Sequence, residues 1–78
     1  MATYAVRFTR NGTALVGAQV VAVGERFFGT TNANGVITAN LGAYANPIGV
    51  HLIVTGSGFS YGGGPHRLEP NGTLVIAI

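Results

Sequence analysis

A chain of 78 residues is long enough for one small domain and too short for two, and with no cysteine it has no disulfide to brace a thin core. Hydrophobic residues make up 47% of it and charged ones only 8%, so its surface has little electrostatic protection against association. Its four basic residues, Arg7, Arg10, Arg26 and Arg67, are scattered, and neither lysine nor aspartate occurs; no basic patch or stripe of the kind that grips nucleic acid is present.

With disulfides excluded, a metal or a partner subunit remains as the brace. The missing cysteine leaves the compartment open. No apolar run approaches the roughly eighteen residues that a membrane-spanning helix needs. The opening MATYAVRFTRNG lacks a positive region followed by an apolar core and a small-residue cleavage site. If Met1 is the true start, the expectation is synthesis in the cytoplasm without a signal peptide.

Apolar residues recur at every second position between frequent glycines, which predicts strands throughout. Ala2 to Phe8 is the first strand, with Tyr4, Val6 and Phe8 on one face and Ala5 and Arg7 on the other. Arg10-Asn11-Gly12-Thr13 turns the chain, because Asn and Gly accept positive φ at low cost. Ala18 to Gly24 offers Ala18, Val20 and Ala22 to one side and Val21 and Val23 to the other; two apolar faces predict a central strand covered on both. A shorter strand runs from Arg26 to Thr31, and its adjacent Phe27 and Phe28 must point to opposite sides.

Asn34-Gly35 is a turn signal, and Val36 to Leu41 alternates after it, with Ile37, Ala39 and Leu41 inward and Thr38 and Asn40 outward. That pattern predicts a hairpin with the preceding strand. Gly42 to Pro47 reads as a loop, since Pro47 would block a ladder bond in a central strand. Val50 to Thr55 is the next strand, its inward set either Val50, Leu52 and Val54 or His51, Ile53 and Thr55, of which the first is the more hydrophobic. Gly56 to Pro65 reads as a long glycine-rich connection, His66 to Glu69 as a short edge strand, Pro70-Asn71-Gly72 as a turn, and the closing strand puts Leu74, Ile76 and Ile78 on one face. About seven short strands predict a single all-β domain over residues 1–78, a small two-sheet sandwich of immunoglobulin-like kind; a small closed barrel is the main competitor.

No catalytic constellation is visible. His51 and His66 are the only imidazoles and Glu25 and Glu69 the only side-chain carboxylates, too few and too scattered for a zinc site or paired acid–base work. Ser57 and Ser60 lie in no nucleophile elbow. Gly62-Gly63-Gly64 is followed by neither a lysine nor a helix that would hold a phosphate. Asn11-Gly12-Thr13 and Asn71-Gly72-Thr73 match the glycosylation pattern, which has no bearing without a secretory signal. The expectation is therefore no catalytic residue, no cofactor and no metal.

Contact residues are the alternative use of the surface. Phe59 and Tyr61 sit in the glycine-rich Phe59-Ser60-Tyr61-Gly62-Gly63-Gly64 stretch, where aromatics on a loop tip would dock against a partner. The competing role for Phe59 is to tuck back and plug the open end of the sandwich, while Tyr61 is the stronger candidate for an exposed contact. Phe28, Arg7, Arg10, Arg26 and Arg67 complete the candidate interface.

The segments Asn11-Gly12-Thr13-Ala14-Leu15-Val16-Gly17-Ala18-Gln19-Val20-Val21-Ala22 and Gly29-Thr30-Thr31-Asn32-Ala33-Asn34-Gly35-Val36-Ile37 resemble the carboxypeptidase regulatory-like domains of the transthyretin-like (prealbumin-like) sandwich family. Those domains show Gly-Ala-x-Val-x-Val and later Thr-Asp-x-x-Gly-x-Phe. Gly17-Ala18, Val20 and Ala22 fall on the former and Thr31-Asn32-Ala33-Asn34-Gly35 with Ile37 on the latter, with Asn32 for the usual Asp and Ile37 for the usual aromatic; Gly58-Phe59 looks like the family's later Gly-Tyr pair. The resemblance implies a non-catalytic module that stiffens, spaces or displays something else. A related group of surface sandwiches locks itself with a Lys-to-Asn isopeptide bond, which a chain without lysine cannot form. The functional expectation is a structural protein that acquires stability from protein partners or further copies of itself, foremost a viral (phage) capsid decoration or accessory virion protein. The alternative is a small binding or adhesion module for carbohydrate or a cell-surface ligand, using Tyr61 and Phe28.

Overall fold

The computed structural model describes residues 3–23, 28–40, 47–56 and 58–78, with Phe28 placed by its backbone alone. The expected strand ends Ala2, Gly24 and Leu41, together with Glu25, Arg26, Phe27, Ser57 and residues 42–46 of the expected loop, lie outside them. Alternating side chains become strands: β1 (Thr3–Arg10), β2 (Thr13–Ala14), β3 (Gln19–Val23), β4 (Phe28–Thr30), β5 (Val36–Asn40), β6 (Ile48–Gly56), β7 (Phe59–Leu68) and β8 (Thr73–Ala77). No described residue is helical.

The strands form two sheets. In the first, β1 is bonded along both edges, antiparallel to β5 and β2 and parallel to β8. The second has the order β4-β3-β6-β7, antiparallel throughout. The buried faces of both contribute to one core: Tyr4, Val6, Phe8, Ile37, Ala39 and Ile76 from the first meet Val20, Ala22, Ile48, Val50, Leu52, Val54 and Leu68 from the second. This is an all-β architecture compatible with a β-sandwich, with eight strands rather than seven. The additional one is β2, whose two residues are too few to show any period.

The turns follow the residues that make them. Arg10 pairs with Thr13 across Asn11 (φ 54°) and Gly12 (φ 79°), the two positive values that a tight two-residue hairpin loop requires. Pro70-Asn71-Gly72 turns before β8, with Asn71 at φ 58°.

The Asn34-Gly35 turn is real, but the strands on either side of it do not pair. β4 bonds to β3 in one sheet and β5 to β1 in the other, so the expected hairpin is a crossover between sheets. Side-chain hydrogen bonds build this corner. The buried Thr31 hydroxyl donates to the Leu15 carbonyl and accepts from the Ala18 amide at 2.9 Å, while the Thr31 amide bonds the Ala18 carbonyl at 2.9 Å. Asn32 then bends the chain: its Oδ1 accepts from the Asn34 amide at 2.8 Å and the Val36 amide at 3.1 Å.

Two further expectations are corrected. β3 is central, between β4 and β6, but its outer face is uncovered within the chain: Val21 and Val23 are 46% and 50% exposed. Apolar residues on both faces therefore record burial on one side only. The glycine-rich Gly56–Pro65 connection is a strand for most of its length, because β7 runs from Phe59 to Leu68 and absorbs the expected short edge strand.

Gly35 is the position where the corner touches β1. It has φ 75°, and a Cβ there would lie 2.7 Å from the Phe8 carbonyl oxygen and 3.0 Å from the Leu15 nitrogen. Gly35→Ala is expected to cost about 1–2 kcal/mol for the left-handed backbone alone, with the overlap on Phe8 adding to it. Urea denaturation should show a lowered midpoint at unchanged slope; an unchanged midpoint would contradict this account of the corner.

Candidate functional site

The aromatic stretch is built by a change of phase in β7. Leu52 pairs with Gly63 and Val50 with His66, so two steps along β6 match three along β7, and the extra residue is a β-bulge. Before the bulge the odd-numbered Phe59, Tyr61 and Gly63 turn inward and are partly buried; after it the even-numbered residues do, His66 partly buried and Leu68 fully. Without the extra residue Tyr61 and His66 would face opposite sides of the sheet. With it they meet, the Tyr61 hydroxyl lying 3.0 Å from His66 Nε2 and the ring centroids 6.3 Å apart.

The glycines of this region seat these rings. A Cβ on Gly63 would lie 2.7 Å from the Tyr61 hydroxyl, and one on Gly56 would collide with the Phe59 ring. From β1, the Arg10 guanidinium carbon sits 4.9 Å from the Phe59 ring centroid. Phe59 and Tyr61 are both partly buried and pack against the core. The glycine content that suggests a mobile loop serves instead to give aromatic side chains backbone to lie on.

The remaining candidates do not converge on one place. Arg7 is exposed on the outer face of the first sheet, beside Val36 and Val75 in the register. Arg67 pairs with Glu69 at 2.8 Å between side chains that are 73% and 58% exposed, a solvated contact that contributes little. Arg26 lies outside the described residues, and of Phe28 only the backbone, paired with Val21, is placed. His51 is exposed on the outer face of β6, whereas His66 is partly buried on the opposite side of β7. Among the described residues, no three His, Cys, Asp or Glu side chains group as a metal would need.

The surface with a definite pattern is the outer face of the second sheet. Its cross-strand register sets Thr30, Gln19, Thr55 and Ser60 in one polar row and Val21, Ile53 and Gly62 in the next. Val23 pairs with His51 beyond that. Ile53 is 47% exposed, so with Val21 and Val23 it forms an apolar patch bordered by hydroxyl and amide groups. Its relief is shallow, with open depressions lined by Gly17, Gln19, Thr55 and Gly56 and by Gln19, Val20, Val21, Gly29 and Thr30. Two apolar faces in the sequence of β3 hide the exposure of Val21 and Val23, whereas at β6 the alternation, with Ile53 opposite in phase to Val50, Leu52 and Val54, is a signal of it.

Neither a family model, nor a curated protein, nor a solved structure matches the chain.

The stacked Arg10–Phe59 pair joins the two sheets at one end. A double-mutant cycle with Arg10→Ala and Phe59→Leu, read by urea denaturation, should give a coupling of about 0.5–1 kcal/mol. Tyr61→Phe should cost about 1 kcal/mol by removing the hydroxyl that meets His66. Additive single effects in the cycle would mean that the guanidinium adds nothing beyond its own solvated charge.

Proposed function

We propose that this chain is a non-enzymatic structural module of the transthyretin-like sandwich kind that is built into a larger protein assembly, with a viral capsid as the foremost destination, as a decoration or accessory protein. The observation that carries the reading is the patch of Val21, Val23 and Ile53 on a nearly flat sheet face. A flat apolar strip rimmed by Thr30, Gln19, Thr55 and Ser60 suits a protein surface better than a small molecule, because it offers area and bordering hydrogen bonds but no enclosure. A domain of this size gains stability when a partner binds only its folded form. The family part of the proposal rests on the Gly17–Ala22 and Thr31–Ile37 patterns. The carbohydrate-binding alternative depends on an exposed Tyr61, and the hydrogen-bonded, partly buried position of that ring does not favour it.

In sedimentation of a native lysate through a density gradient, the chain is expected in fractions of megadalton particles at stoichiometric levels. The double variant Val21→Glu and Ile53→Glu, folded by circular dichroism, is expected at the top of the gradient. Wild-type protein confined to the top fractions would overturn the proposal.

A further inference from the structure

Among the described residues the two sheets end in four outer edges, and three of them are blunted. β4 is only three residues long. β7 carries the bulge and Pro65, which has no amide hydrogen to donate. At β5, Asn32 covers the free side of Val36, accepting from its amide at 3.1 Å and donating to its carbonyl at 3.0 Å.

Among the described residues nothing protects β8 in this way. It holds no charge, proline, glycine or bulge in Thr73-Leu74-Val75-Ile76-Ala77. Its phase is set at both ends: the Ala5 amide bonds the Gly72 carbonyl at 3.3 Å and the Ile78 amide bonds the Thr9 carbonyl at 2.7 Å. Successive residues of a strand direct their backbone groups to opposite edges. Leu74 and Ile76 therefore bond to β1, while the amides and carbonyls of Thr73, Val75 and Ala77 line the open edge.

These open groups are symmetric about Val75, and we propose that β8 pairs with β8 of a second copy of this chain, antiparallel, about a two-fold axis through Val75. In that register Val75 exchanges both of its bonds with its symmetry mate and Thr73 exchanges its pair with Ala77 of the second copy, leaving none of the six groups unpaired. Side chains agree with the register. Val75, 59% exposed, lies against its own mate on the outer face, and the partly exposed Leu74 lies opposite Ile76 on the core side. The two cores then share one continuous sheet. The proposal deepens the assembly reading and rests on it in requiring a protein partner; it names a second copy as one.

Sedimentation equilibrium of the full chain from micromolar to millimolar concentration should show the mass rising from 7.9 kDa toward twice that value. Val75→Lys places like charges at the two-fold axis without touching the core and should weaken self-association by about tenfold or more, with an unchanged circular-dichroism spectrum. Thr73→Cys combined with Ala77→Cys tests the register independently. Cα atoms of bonded antiparallel pairs are about 5.5 Å apart, within disulfide range. Within one strand, positions four apart are separated by about 13 Å. The double variant should therefore oxidise to a covalent dimer, and Thr73→Cys alone should not. A wild-type chain that stays monomeric, a dimer indifferent to Val75→Lys, or equal cross-linking by the single and double variants would each overturn the proposal. Particle association by a chain that does not self-pair would leave the assembly reading standing and remove this one.

Discussion

The first sheet depends on the backbone of β1. Alternate residues of that strand bond in opposite directions: the even-numbered positions reach β5 and the neighbouring corner, as the Phe8 amide does to the Gly35 carbonyl at 2.9 Å, and the odd-numbered ones reach β8. The same alternation places Tyr4, Val6 and Phe8 in the core and Arg7 in water. One strand thus fixes both the order of its neighbours and the face on which their apolar side chains meet. The tight approach of Gly35 to the Phe8 carbonyl follows from this arrangement, because the crossover must come close enough to bond β1 before β5 begins.

The second sheet has a different constraint, a single extra residue in β7. A strand of strict period two would put Tyr61 and His66 on opposite faces. The bulge brings them together and keeps Leu68 in the core, so a polar pair and an apolar anchor share the inner side of an edge strand. The exposed Val21–Ile53 pair lies on the other side of the same sheet. Position on the sheet, rather than hydrophobicity alone, separates a core valine such as Val20 from an interface candidate such as Val21.

Alternation made most of the fold legible. The inward residues of β1, β6 and β8 and the inward Ile37 and Ala39 of β5 follow directly from it, as do the turns at Asn11-Gly12 and Pro70-Asn71-Gly72. Which strands pair was not legible at the Asn34-Gly35 turn, since the residues that make a corner between sheets, Thr31 and Asn32, also occur in hairpin loops. β7 was hidden for a related reason: glycine in a strand weakens its local signal, and the rings that lie over Gly56 and Gly63 come into view only in three dimensions. Residue type alone points to the aromatic and basic side chains as an interface, whereas the exposed surface with a coherent pattern is aliphatic.

Strands from the two extremities of the described chain are neighbours. The Thr3 amide bonds Asn71 Oδ1 across 68 positions of sequence, and β8 lies directly along β1. During synthesis, β1 therefore waits with one edge unsatisfied while nearly every other strand is made. Closure of that gap spans a long loop, which makes folding slow relative to proteins of similar size with local contacts. A nascent chain of this kind spends its vulnerable interval with β1, rather than its later strands, open to wrong partners.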